Sequence, residues 1–514
     1  MKKKYIIFSI FTLVLLVALI TSFNYFKTTN TYIDDNINNQ TKIIKGISMN
    51  LEQTAGAGDY KTVTQSSWPT EGYKFNAELS RCENGSTLSW DDTKKAVIMQ
   101  GNVSDKCYVY FDIFIPKIPD VCNSGDTLAD CIKKYGDNGS AISNIYIHNS
   151  SLANGAGDNS YRYAGGDYVL TEKATNAGMK SLTSSSDTET DGITNFYCDG
   201  ERQYLYNFGC DTTSQTFYFT LQYDTSNTQY KTYNEALEKA VSDGYLTKDN
   251  VKNFVCFGSG VSPCPTENLY RTIGVFDNKV KLMKYTYNTK EQLGEDGDFS
   301  ETTTLADWGE ETTYRGNSTT LDIYYWNDST NKNTWSESLL NKINLNTNFI
   351  NYIGTEWSNK IVTTTWKVGG NTWVKIGTKT PSVAYTNEIT SPDPINSTDN
   401  ATEYSAKVGL MYVSDYGFAA SPSAWTTTLN NYNGYDDNNV AIKDTNWMFI
   451  GSYDWTISRL ADGSGYAFGV GDDGYVYDGY GVIGVLGVRA SFSLESSVSY
   501  VSGSGSMSDP IVIN

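Results

Sequence analysis

A chain of 514 residues with one histidine has little to offer histidine-based catalysis. That residue, His148, sits in the strand-like "NIYIHNSS", and no G-x-S-x-G, H-E-x-x-H or P-loop pattern accompanies it. Positive charge is also short. The 39 Lys and Arg are outnumbered by 58 Asp and Glu, giving a formal net charge of -19. A nucleic-acid partner requires clustered cations against phosphate, so that function class is excluded. No C-x-x-C pair occurs among the eight cysteines, which weakens any zinc-ribbon or thioredoxin-like reading.

What is present is aromatic and polar. Tyrosine alone supplies 39 residues, and Asn, Ser, Thr and Gly dominate the rest. This balance suits an extracytoplasmic β-rich protein. The first residues agree. Lys2 to Lys4 precede an uncharged run from Tyr5 to Phe26. At about 1.5 Å per helical residue that run spans a bilayer core of about 30 Å. The lysines favour an inside N-terminus, placing the bulk of the chain outside a cell membrane as a single-pass protein. Small residues suited to cleavage are scarce after the run, so residues 1–27 read as a transmembrane anchor or a signal, with the retained anchor favoured.

The cysteines fall as near pairs along the chain: Cys82 and Cys107, Cys122 and Cys131, Cys198 and Cys210, Cys256 and Cys264. Outside the cytosol an even count reads as disulfides, although eight cysteines allow about 105 pairings.

Residues 28–60 are Asn-rich and read as a stalk. Residues 61–116 alternate between apolar and polar and are broken by "ENGS", "DDTKK" and "GNVSDK", the grammar of hairpins in a small all-β, sandwich-like module. Residues 117–253 read as a connecting region with an inserted Ser/Thr-rich loop and short helices. One helix is "LADCIKKYG", capped by Asp126 or Thr127 and ended by Gly136. From residue 254 onward the pattern changes to strands, Trp- and Gly-rich segments, and one further helix near "NTWSESLLNKINLN". There Thr334 and Glu337 form a capping box. The closing stretch "GVRASFSL" alternates Val488, Ala490, Phe492 and Leu494 with Arg489, Ser491 and Ser493, and so predicts a half-buried strand.

The order "LYRTIGVF", "KVKLMK", "TWSESLLNKINLN", "VGLMYVS", "WMFIGSYDW", "YAFGVGDDG", "GVRASFSL" over residues 254–514 resembles an uncharacterised domain of Gram-positive bacterial surface proteins. That domain is similar in pattern to the C-type-lectin-like fold of formylglycine-generating enzymes. The resemblance implies an α+β fold with a C-type-lectin-like C-terminal domain, in which first and last strands lie side by side. "GVRASFSL" would then return beside "LYRTIGVF". Formylglycine-generating enzymes work through cysteines of the catalytic domain. Here Cys256 and Cys264 stand at the domain entrance and look like a local disulfide, so the enzymatic activity is not expected to carry over.

Candidate sites follow from the same region. Tyr453, Trp455, Tyr475, Tyr477 and Tyr480 are the candidate ligand-binding aromatics, with the 475–480 loop expected at the surface. Asp472, Asp473 and Asp478 could ligate calcium, as could Glu295, Asp296 and Asp298, although turn chemistry accounts for both groups. "WND" at Trp326, Asn327 and Asp328 matches a sugar-binding lectin triplet by letters but precedes a helix and lacks its partner triplet. Arg489 is expected to be structural, holding a carboxylate or backbone carbonyls. The chain therefore reads as a membrane-anchored surface protein with a non-catalytic binding or adhesion domain for glycan or protein. The alternatives are a structural envelope component or an extracellular hydrolase with paired carboxylates.

Overall fold

A computed structural model of the chain describes residues 47–166 and 251–514, apart from residues 54–57, 65–66, 70–71, 103, 115, 305–319, 394–400 and 437–441, together with the backbone of short strands between residues 168 and 248. The chain divides after Pro116 into two units.

The first unit begins, within the described residues, at β1 (Ile47–Glu52), inside the stretch read from sequence as a stalk. It continues with β2 (Tyr60–Val63), β3 (Tyr73–Phe75), β4 (Arg81–Cys82), β5 (Thr87–Asp91), β6 (Ala96–Gln100) and β7 (Cys107–Ile113). β7 is the hub: it pairs in parallel with β1 and antiparallel with β3 and β4. Alternation along β7 buries Cys107, Val109 and Phe111, and Met49, Leu51 and Val97 pack against them. β5 and β6 form the hairpin expected around "DDTKK", with Lys95 at φ +50° in the turn. Cys82 and Cys107 face each other across β4 and β7 and are disulfide-bonded.

In the second unit the connecting region does not stand apart. Helix α1 (Leu128–Gly136) forms where expected: Thr127 accepts the Asp130 N–H at 3.2 Å, and Leu128, Cys131, Ile132 and Tyr135 face the core. Cys131 is bonded to Cys122. β8 (Ile145–Ile147) and β9 (Tyr161–Tyr163) then join a nine-stranded sheet whose other members are β10 (Phe254–Cys256), β11 (Leu269–Phe276), β12 (Lys279–Lys284), β15 (Val408–Gly409), β20 (Ser491–Ser493), β21 (Tyr500–Ser502) and β22 (Ile511–Ile513). The main path runs β15-β20-β12-β11-β10-β22-β21, and β9 pairs with the far end of β11. β10 carries the third disulfide, Cys256–Cys264, and lies parallel to the closing strand β22.

The second sheet has six strands: β13 (Phe299–Thr304), β14 (Thr320–Tyr325), β16 (Asp454–Arg459), β17 (Tyr466–Val470), β18 (Val476–Gly481) and β19 (Val485–Gly487), in the order β13-β14-β19-β16-β17-β18. One hydrophobic cluster draws on both sheets, with Leu282 and Phe492 from the first and Trp455 and Phe468 from the second. Helix α2 (Val413–Ala419) is buried along its whole length.

The fold class differs from the expected one. The described residues form a mixed sheet-and-helix chain, and no helix among them is long and apolar enough to cross a membrane. The transmembrane segment expected over residues 1–27 lies outside the described residues. The lectin-type closure is also altered. "GVRASFSL" is not one half-buried strand beside "LYRTIGVF": its first residue, Gly487, ends β19 in the six-stranded sheet, and Ser491–Ser493 form β20 in the nine-stranded one. β20 shares a sheet with β11, but β12 stands between them. The chain crosses from one sheet to the other at 488–490. Both sides of this segment are therefore buried, including Arg489 and Ser491. Alternation of polar with apolar residues misreads such a crossing, because the polar side chains find partners inside.

The late helix starts further on than its local signals suggest. Helical structure begins near Leu339 and runs through Leu340–Phe349 into Ile350–Ser358. The Leu340 N–H is accepted at 2.7 Å by Asp298, 42 residues earlier, while Thr334 closes a separate turn with Glu337.

Candidate functional site

β18 is the outer strand of its sheet, and the hairpin it makes with β17 carries most of the candidate aromatic residues. The turn "GDDG" is built from backbone: Gly471 N donates to Tyr475 O at 2.8 Å, and the Tyr416 hydroxyl donates to Gly474 O at 2.7 Å, fixing the turn to α2. Asp473 serves this turn, since its carboxylate accepts the Tyr475 N–H at 3.3 Å and the Asn433 amide at 3.1 Å.

The register between β17 and β18 slips between Ala467 and Gly469. Two glycines make room for rings there. A Cβ on Gly469 would stand 2.7 Å from Tyr480 Cδ2, and one on Gly479 would stand 2.3 Å from Tyr477 Cζ. The rings step outward from the core as far as Tyr477, and half-buried Tyr475 flanks it. Trp455 lies 6.0 Å from Tyr480, Tyr480 lies 5.2 Å edge-on from Tyr477, and Tyr477 lies 5.7 Å from Tyr475. Tyr453 flanks Tyr480 at 6.0 Å. Tyr477 is 38% exposed; Tyr466, which pairs with Gly481 at the other end of the hairpin, and Ile483 are 46% and 48% exposed.

The candidate residues thus separate by depth. Tyr477 is exposed; Tyr453, Tyr475 and Tyr480 are half-buried. Trp455 is a correction to the expected ligand-binding set: it is 1% exposed, and its indole N–H is spent on Tyr324 O at 2.8 Å. Burial raises the pKa of the Tyr475 and Tyr480 phenols, so both are neutral donors at ordinary pH. Burial likewise raises the Asp478 carboxyl. Among the described residues no group of three or more His, Cys, Asp or Glu side chains is arranged to hold a metal ion; Asp472, Asp473 and Asp478 are half-buried along the hairpin.

Of the other sequence candidates, Glu295 and Asp296 are exposed and pair with Lys290 and Asn348, while Asp298, Trp326, Asn327 and His148 are structural. Asp298 is buried and accepts from the Asp328 and Leu340 amides. Trp326 is wholly buried and donates to Thr456 O at 3.0 Å, and Asn327 closes its own loop through Thr330 and Lys332. His148 is buried, accepts the Ala156 N–H at 3.0 Å through Nδ1, and meets the rings of Phe418 and Trp425. The pairing of Cys198 with Cys210 lies outside the described side chains. A separate shallow hollow of about 290 Å³ is lined by Gly136, Tyr146, Ile147 and Leu152 among others.

Sequence reasoning missed a buried polar cluster formed by Asp158, Arg162, Lys281, Glu388 and Asp415. Its members are scattered over more than 250 positions, so no local spacing marks them. No protein-family model, no curated protein and no solved structure matches this chain.

Proposed function

We propose that this chain is an exported, non-catalytic binding protein that captures glycan on the tyrosine-lined hairpin β17–β18. The observation that carries the reading is the exposed Tyr477 ring, braced edge-on by Tyr480 on the outer strand of a large sheet. Flat aromatic faces cover the apolar C–H faces of sugars, and tyrosines supply rigid contact area at low conformational cost. The carboxylates of Asp472 and Asp478 and the amide of Asn433 lie in the same hairpin and its neighbouring loop, where sugar hydroxyls require hydrogen-bond partners. Three disulfides support an oxidising, extracytoplasmic setting. The acidic surface charge supports solubility there.

The test is a glycan array probed with the full-length chain. The expected result is binding to a defined glycan class that disappears in Tyr477→Ala while the fold is retained. Silence across the array from a folded protein overturns the reading, as does capture of a protein ligand with the array silent.

A further inference from the structure

A lysine amine and a carboxylate lie in contact inside the second unit, away from water. Lys281 on β12 places its Nζ 2.5 Å from Asp415 Oδ2 on α2, and the two side chains are 8% and 3% exposed. Three aromatic rings wall the amine: Tyr412 at 4.4 Å, Trp366 at 5.3 Å and Phe276 at 5.9 Å. The carboxyl is held from the other side. The Tyr412 N–H donates to Asp415 Oδ2 at 3.0 Å, and Arg162 Nη1 stands 3.6 Å from Oδ1. Arg162 is fixed in turn by Asp158 at 2.6 Å. The first turn of α2, which carries Asp415, is anchored by Glu388. Its carboxylate accepts the Val413 and Ser414 amides at 3.0 Å each and the Ser458 hydroxyl.

We propose that Lys281 and Asp415 condense into an intramolecular isopeptide bond from Nζ to Cγ, a covalent crosslink between β12 and α2. An ammonium facing a carboxylate in a dry interior is disfavoured relative to the neutral amine and acid. Burial pushes the Lys281 amine in that direction, against the pull of Asp415. One proton passes from Nζ to the carboxylate. The freed lone pair attacks Cγ, and the developing oxyanion on Oδ1 faces the Arg162 guanidinium, while the Tyr412 N–H holds Oδ2, the oxygen that has taken the proton. The adduct then expels the carboxyl hydroxyl with a second amine proton as water. One N–C bond forms and one C–O bond breaks, with no change of oxidation state and no co-reactant. Contact fixed by the fold supplies the high effective concentration that amide formation lacks in solution.

Peptide mapping of the reduced full-length protein tests this. A protease that cleaves after Lys and Arg should cut an unlinked chain after Lys281 and release residues 408–443 as a separate peptide. In the linked chain cleavage after Lys281 stops. Residues 280–284 are then recovered joined to 408–443, lighter than the two peptides together by one water. Lys281→Arg keeps the charge and cannot condense in this way, so the branched species disappears. Recovery of both peptides free and linear from the wild-type protein overturns the proposal whether or not the variant folds. Persistence of the branched species in Lys281→Arg overturns it too.

Discussion

Arg489 and Asp454 pair where the chain passes between the two sheets of the larger unit. Arg489 Nε and Nη2 lie 2.6 and 2.5 Å from the same oxygen, Asp454 Oδ2, and Nη2 also donates to Met448 O at 2.7 Å. Asp454 opens β16, where it pairs with Gly487 at the end of β19. The guanidinium therefore ties the crossing segment to the sheet it has just left. Both side chains are almost fully buried.

Removing one partner should cost far more than removing both. In Arg489→Met the Asp454 carboxylate is left buried and unpaired, and we expect a loss of about 3–5 kcal/mol. The double variant Arg489→Met, Asp454→Leu should recover part of that loss. Urea unfolding of the three proteins checks this, and a single-variant cost under about 1 kcal/mol would place the pair outside the framework that holds the crossing segment.

Glu388 gives a pH dependence of defined sign. Burial raises its carboxyl from the ordinary range to about 7, despite the amides of Val413 and Ser414. The folded state thus binds this proton more tightly than the unfolded state does. Its contribution is present at acid pH and is lost as pH rises from about 4.5 toward 7. Glu388→Gln removes that titration. Relative to wild type it should gain stability across this window, on the order of 1–3 kcal/mol by neutral pH. Parallel slopes of unfolding free energy against pH in the two proteins would contradict this.

His148 acts with the opposite sign. Burial, helped by the nearby Arg162 charge, pushes the imidazole down to about 2. The unfolded chain takes up a proton below its ordinary value of 6.5 while the folded chain does not, so stability falls as pH drops from that point. His148→Phe should be less stable than wild type at neutral pH, because the Ala156 N–H loses its acceptor, yet show a shallower decline on acidification. Denaturant midpoints between neutral pH and about pH 4.5 are the measurement. Because Glu388 opposes His148 over part of this range, the difference between variant and wild type isolates each group.

The legible parts of this fold are the local ones. α1 was readable because its cap, Thr127, and its apolar face lie within ten residues. Three disulfides join cysteines that are near pairs in sequence, with separations of 25, 9 and 8. The tyrosine hairpin was readable because glycines and aspartates mark its turn. What was not readable depends on distance along the chain. Ser491, the first residue of β20, donates to Leu282 O across 209 positions, and Arg489 in the crossing segment finds Asp454 across 35. A polar residue with a partner so remote looks like a solvent-facing one. Asp298 caps a helix across 42 positions in the same way, and Lys281 meets Asp415 across 134. Trp455 stands among the candidate ligand-binding aromatics because composition does not distinguish a ring at the foot of the ladder from one at its head.

The central claim, that the outer tyrosines capture glycan, is tested most directly by calorimetric titration of wild-type and Tyr477→Ala protein with a glycan that the array returns. We expect at least a tenfold loss of affinity, about 1.4 kcal/mol, with folding stability unchanged within about 0.5 kcal/mol. Equal affinity in the two proteins would remove the hairpin from recognition and the proposed function with it.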